Sequence, residues 1–211
     1  MALTRFALAA IAPTPWKNGG GATREIAAWP PGAGMDTFDW RISVADIAAD
    51  GPFSAFPGID RQIVLIDGAG VHLQAHDDSF CHKLVRIGEP YAFSGDTAIH
   101  AALVDGPTRD FNVMTRRGRC RANVTLMRQP FTAVPDGATV LVLALRGEWD
   151  ISDSRSNIDN GSDSDSSDSG ARHLSAGEGI LMPAGSPSVT LSHTELSALC
   201  LRVTLHREQD R

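Results

Sequence analysis

The chain has 211 residues, enough for one large β domain or two small ones, and its 42% hydrophobic and 21% charged residues are ordinary for a globular protein. Nineteen basic residues against 25 acidic ones give a net charge of −6. Five Asp and one Arg between 152 and 170 hold −4 of it, so the remaining body is nearly neutral. A basic stripe for nucleic acid is absent, and no apolar run reaches the roughly 18 residues of a membrane-spanning helix.

In chain order, the run Phe6-Ala7-Leu8-Ala9-Ala10-Ile11-Ala12 follows Arg5 and faintly imitates a signal peptide. It is short and abuts Pro13 and Pro15, so it reads as a first strand. The stretch Trp16-Lys17-Asn18-Gly19-Gly20-Gly21-Ala22-Thr23-Arg24-Glu25 comes next. Three consecutive glycines permit φ > 0 and close approach, and around them crowd an indole, an ammonium, an amide, a hydroxyl, a guanidinium and a carboxylate. Two readings stand side by side: a plain Gly-rich hairpin loop, and a recognition site built on one.

Short apolar runs rich in β-branched residues then dominate, such as Gln62–Ile66 and Thr139–Leu145, separated by Gly, Pro, Asp and Ser. That pattern predicts an all-β sandwich or barrel, with at most a short helix near Ile47-Ala48-Ala49. The chain also echoes itself. Ile63-Val64-Leu65-Ile66-Asp67-Gly68 aligns with Val142-Leu143-Ala144-Leu145-Arg146-Gly147, and Gly88-Glu89 with Gly177-Glu178, so the second copy is ten residues longer between these landmarks. The extra length coincides with Ser152–Gly170, which holds eight Ser and five Asp with Ile158 its one apolar residue. Such a segment cannot bury enough surface to offset its ordering entropy and is expected to be a disordered loop.

Period two sorts the polar groups onto strand faces. Asp110, Asn112, Met114 and Arg116 share one face, opposite Phe111, Val113 and Thr115, and Arg41 shares a face with Ser43. Arg61 follows the turn Phe56-Pro57-Gly58 and is expected at a barrel mouth. Metal and covalent chemistry find little support. His72, His76 and His82 lack a His-x-His pair, Ser54 lacks nucleophile-elbow glycines, and the glycine triplet has neither GxGxxG nor Walker spacing. Cys81, Cys120 and Cys200 are odd in number and widely spaced, which points to reduced thiols and a cytoplasmic protein.

PWKNGGGATREIA, together with WRISVA, FSAFPGIDR and DFNVMTRR, resembles the HutD/Ves family of bacterial proteins over residues 15–117. The resemblance implies an all-β RmlC-like double cupin, two jelly-roll-type barrels, divided here as repeats 1–118 and 119–211. It further implies an association with histidine utilisation and a small-molecule pocket in the first barrel, with no established reaction. The residues expected to bind are Trp16, Lys17, Asn18, Gly19, Gly20, Thr23, Arg24, Glu25, Ser43, Phe56, Arg61, Asp110 and Asn112. The expected ligand is a small anionic metabolite of histidine degradation, like formylglutamate or urocanate, bound without metal or cofactor by a sensor or buffer, with homodimerisation open. A cupin isomerase or hydrolase using Glu25 or Asp110 as base, and a protein-interaction subunit, are the alternatives.

Overall fold

A computed structural model describes residues 3–153 and 173–208. Its described residues are almost entirely strand and irregular connection, with a single 3-10 turn at Leu8–Ala10. The chain groups into two compact units, Leu8–Val124 with His206–Arg211, and Met1–Ala7 with Thr125–Leu205.

Strand β1 (Thr4–Ala7) belongs to the second unit. The first unit then runs β2 (Thr14–Pro15), β3 (Gly21–Trp29), β4 (Trp40–Ile47), β5 (Gly51–Phe53), β6 (Ile59–Asp67), β7 (Val71–Ala75), β8 (Cys81–Leu84), β9 (Pro90–Ser94), β10 (Ile99–Leu103) and β11 (Thr108–Arg116). They form a six-stranded sheet, β2-β3-β4-β11-β6-β9, and a four-stranded sheet, β5-β10-β7-β8. Ile63, Leu65, Val71, Leu73, Leu84, Ile99 and Ala101 pack between them as a core. Each large aliphatic side chain removed from water there contributes about 1.5–3 kcal/mol. In β4 and β11 both faces are largely buried, so alternation carries Asp110, Asn112 and Arg41 inward along with the apolar residues.

The remaining strands are β12 (Cys120–Met127), β13 (Phe131–Ala133), β14 (Ala138–Arg146), β15 (Trp149–Asp153), β16 (His173–Leu174), β17 (Glu178–Met182), β18 (Val189–Ser192) and β19 (Leu199–Arg207). Their sheets have the orders β1-β17-β14-β19-β12 and β13-β18-β15-β16. Position for position, β4-β11-β6-β9 corresponds to β12-β19-β14-β17, and β5-β10-β7-β8 to β13-β18-β15-β16. The sequence echo is thus a structural repeat. The Gly88 amide donates to the Leu65 carbonyl at 2.9 Å and the Gly177 amide to Ala144 at 2.8 Å, with φ of 84° and 87°. Those positive φ values are why glycine recurs at the same point of both copies.

Three local expectations need correction. The apolar run Phe6–Ala12 is not one strand: β1 ends at Ala7, and Leu8–Ala10 turns. In β1, Phe6 lies opposite Gly179, where a Cβ would collide with the Phe6 ring and the Val142 carbonyl, so the glycine makes room for the ring. Ile47-Ala48-Ala49 forms no helix, because Ile47 ends β4 and the amides of Ala48 and Ala49 both donate to the Gly20 carbonyl. The Ser/Asp-rich segment begins later than Ser152, since Ser152 and Asp153 belong to β15 and lie opposite Thr190 and Val189. Its residues 154–170 lie outside the described residues.

Candidate ligand-binding site

The glycine triplet closes the hairpin between β2 and β3, where Thr14 faces Thr23 and Pro15 faces Ala22. Each glycine answers a different demand. Gly19 takes φ of 72° and donates to the Trp16 carbonyl at 3.0 Å. The Gly20 amide is capped by Asn18 Oδ1 at 3.1 Å, a side-chain turn of the kind Asn favours. At Gly21 a Cβ would run into the Asp46 carbonyl of β4 and the Trp16 ring. The indole is therefore seated against backbone. Its Nε1 donates to Thr23 Oγ1 at 2.7 Å, and it meets the Phe53 ring edge-on at 6.2 Å.

Register assembles the inward-facing polar groups into rows across the six-stranded sheet. Glu25 lies opposite Ser43, Ser43 opposite Asn112, and Asn112 opposite Ile63. One row along, Arg41 faces Met114, which faces Arg61. In the other direction Thr23, Ala45, Asp110 and Leu65 align. Above these rows opens a cavity of about 820 Å³, walled also by the Trp16–Asn18 turn, by Phe53 and Phe56, and by Met35.

The cavity is cationic. Lys17, Arg41 and Arg61 line it against one carboxylate, Glu25. Arg41 Nε donates to Glu25 Oε2 at 2.7 Å and its Nη1 to Ser43 Oγ at 3.3 Å. Arg61, only 7% exposed, donates from Nη2 to Asn112 Oδ1 at 2.9 Å. Its guanidinium sits 5.0 Å from the Phe93 ring centre, 5.5 Å from Phe56 and 5.7 Å from Phe53, contacts that favour a cation stripped of water. Burial, then the charge of Arg41, lowers the Arg61 pKa to about 10, with Asp110 opposing, so the group stays charged at neutral pH. Asp110 is fully buried, and neither of its carboxylate oxygens has a hydrogen-bond partner. Burial pushes its carboxyl up to about 7, although Arg61 pulls it down.

Of the residues expected to bind, Trp16, Lys17, Asn18, Thr23, Glu25, Ser43, Phe56, Arg61 and Asn112 line the cavity. Gly19 and Gly20 shape the turn without forming its wall. Arg24 is not brought there: it lies between Thr23 and Glu25 in β3, so alternation sends it to the other face, where it bonds Asp46 at 3.1 Å and the Ile11 carbonyl at 2.6 Å. Asp110 lies beneath the cavity, shielded from its surface. Arg61 lies deeper than a mouth position, inside β6 among three phenylalanines. Arg41, which the same alternation places beside Ser43, proves to be a wall residue, as does Met114. Phe53 and Met35 carry no sequence signal, because β5 and the β3–β4 connection bring them in from a distance. His82 stacks on Tyr91 at 3.6 Å, and among the described residues no group of three His, Cys, Asp or Glu is placed to hold a metal.

The profile of the HutD family matches residues 8–199. The chain belongs to the HutD family. The protein Ves of Escherichia fergusonii is 41% identical over 147 residues, covering 69% of this chain and 74% of that protein. The structure of HutD from Pseudomonas fluorescens superposes with a TM-score of 0.77 at 27% identity, over 99% of this chain and all of the other. A cupin 2 conserved barrel domain protein from Leptotrichia buccalis matches 96% of each chain with a TM-score of 0.56. At 12% identity that last likeness speaks for the fold alone, and the fold of this HutD family member is the double cupin. No helix among the described residues is long and apolar enough to cross a membrane.

Proposed function

We propose that the first unit binds a small anionic metabolite of histidine degradation, such as formylglutamate or urocanate, without metal, and that the protein acts in the cytoplasm as a sensor or buffer of that route. The observation carrying this reading is the cationic cavity: Lys17, Arg41 and Arg61 against Glu25, whose charge Arg41 already balances. A planar guanidinium in a phenylalanine cage suits a carboxylate, because charge-assisted bonds gain strength where water is excluded. The histidine route is what the resemblance to the HutD/Ves family implies. A cupin hydrolase or isomerase is less well supported, since Glu25 is engaged by Arg41 and Asp110 does not reach the cavity surface.

Calorimetric titration with N-formylglutamate, urocanate and glutamate tests the reading. One of the three is expected to bind, and Arg61→Ala to weaken it on the order of ten- to a hundredfold, matching the roughly 1.5–3 kcal/mol of a charge-assisted bond. Arg61→Lys should recover part of the loss, because an ammonium cannot reproduce the fork. A wild type that binds none of them overturns the proposal.

A further inference from the structure

Arg61 is the cation shared by the cavity above it and the carboxylate below it. Asp110 lies on the same inward face of β11 as Asn112, fully buried, with both oxygens unpartnered, while Arg61 Nε is buried and unpartnered too. Asn112 sits between them, accepting from Arg61 Nη2 at 2.9 Å and donating to the Asp110 backbone carbonyl at 3.3 Å. The surroundings of Asp110 offer little other charge. From β6 it faces Leu65 and, further along, Arg61; from β4 it faces Ala45, with Ser43 and Arg41 beyond. The nearest groups of β3 are Thr23 and Glu25, and Glu25 is held by Arg41. The inward residues of β7 and β10 are Val71, Leu73, Ile99 and Ala101, all apolar. The ionised form of Asp110 therefore depends on Arg61.

An anion in the cavity draws on that same positive charge. Once it is neutralised from above, a water-free carboxylate below loses its stabilisation and is better off as the acid. We infer that anion binding in the cavity is coupled to proton uptake by the Asp110 carboxylate, up to one proton per anion when that carboxylate starts fully ionised. This rests on the reading of the cavity as an anion site. The proton comes from solvent buffer and forms an O–H bond at one Asp110 oxygen, and no other bond changes. The complex then holds the anion against the Arg61 cation, with a neutral acid beneath. Because Asp110 is poised near neutrality, affinity should fall as pH rises past about 7, by at most tenfold per pH unit. Asp110 is in this sense a positioning residue, acting on the ligand through Arg61.

Two measurements test the inference. The first needs no ligand: the carboxyl carbon of Asp110, followed by NMR, should titrate near pH 7 in the wild type and higher in Arg61→Gln. A midpoint in the ordinary carboxylate range, or one that Arg61→Gln leaves in place, overturns it. The second is calorimetry at pH 7 with N-formylglutamate, urocanate and glutamate in turn, in phosphate and in Tris, whose ionisation heats differ. The wild type should take up a measurable fraction of a proton per ligand and Asp110→Asn none, with the affinity of Asp110→Asn flat between pH 6 and 8. Binding without proton uptake, or equal uptake by Asp110→Asn, sinks the inference and spares the anion site. Absence of binding by N-formylglutamate, urocanate and glutamate alike, with the Asp110 titration intact, instead overturns the reading of the cavity, and this inference with it.

Discussion

Where the first unit has Arg61 on β6, the second has Val140 at the repeat-equivalent point of β14, with Val142 matching Ile63 and Ala144 matching Leu65. Around Val140 the interior is closed by Trp149, Ile180, Met182, Val189 and Leu191, each at most 1% exposed. Around Arg61 the apolar filling stops at Ile63 and Leu65, and a cavity of about 820 Å³ opens beyond. The strand plan and its glycine-dependent turns are common to both, so neither supplies the site. What separates the units is the side chains of a few inward positions: valine and tryptophan close one interior, while arginine, asparagine and a buried carboxylate leave the other open and polar. The candidate site is a barrel interior left unfilled at one end.

Making the second interior resemble the first at one position should do the most damage. Val140→Arg would bury a cation that lacks both the Asn112 and the Asp110 of the first unit. Its cost is expected upwards of about 4 kcal/mol, enough to unfold the unit in a thermal melt. A folded protein with an unchanged melting midpoint would mean that the filled interior tolerates charge after all.

Second in size is the pH dependence of stability, which should belong to one interior alone. Asp110 ionises near 7 when folded and at about 3.9 when unfolded. Its folded value is raised, so its contribution is complete below about pH 4, declines as pH climbs toward 7, and levels off above that. Between pH 5 and 8 this amounts to about 2–3 kcal/mol, and Asp110→Asn should remove it from guanidinium unfolding curves. In the second interior, burial pushes the Cys200 thiol far up and keeps it neutral across this range. An Asp110→Asn curve parallel to the wild type across that range would refute the assignment.

The smallest effect sharpens the contrast within the glycine turn. Gly21→Ala must move the β4 backbone or the Trp16 ring, at about 1–3 kcal/mol, whereas Gly20→Ala meets only ordinary contact with the Asn18 side chain. Ligand affinity should fall with Gly21→Ala and hold with Gly20→Ala. Equal affinity losses in the two would show that the turn acts through flexibility and not through the seating of the indole.

The strands, their repeat and most of the cavity wall were legible because alternation and turn glycines are local signals. Thr23, Glu25, Ser43 and Asn112 follow from counting by two along single strands. The same count sends the Arg24 side chain to the other face, whereas the family resemblance raises it together with Thr23 and Glu25. Arg41 was legible on the face of Ser43, but its pairing with Glu25 required the register between β3 and β4. The depth of Asp110 was not legible. Whether an inward residue lies in the wall or below it depends on which row meets the opposing sheet, a fact distributed over β6, β7 and β10. The parting of Phe6–Ala12 into strand and turn depends likewise on a partner, since β1 ends where its pairing with β17 does.

The seating of Trp16 gives the molecule an optical consequence. Its indole lines the cavity, held by Thr23 and Phe53, whereas Trp149 is sealed in the other unit at 0% exposure. Of the four tryptophans one therefore lies where an entering solute would change its surroundings, and another lies where it would not. The emission of the unlabelled protein thus contains both a reporter and an internal reference. Trp16 is the tryptophan that lines the cavity, so the spectral difference caused by a solute there is a reading taken at the cavity wall.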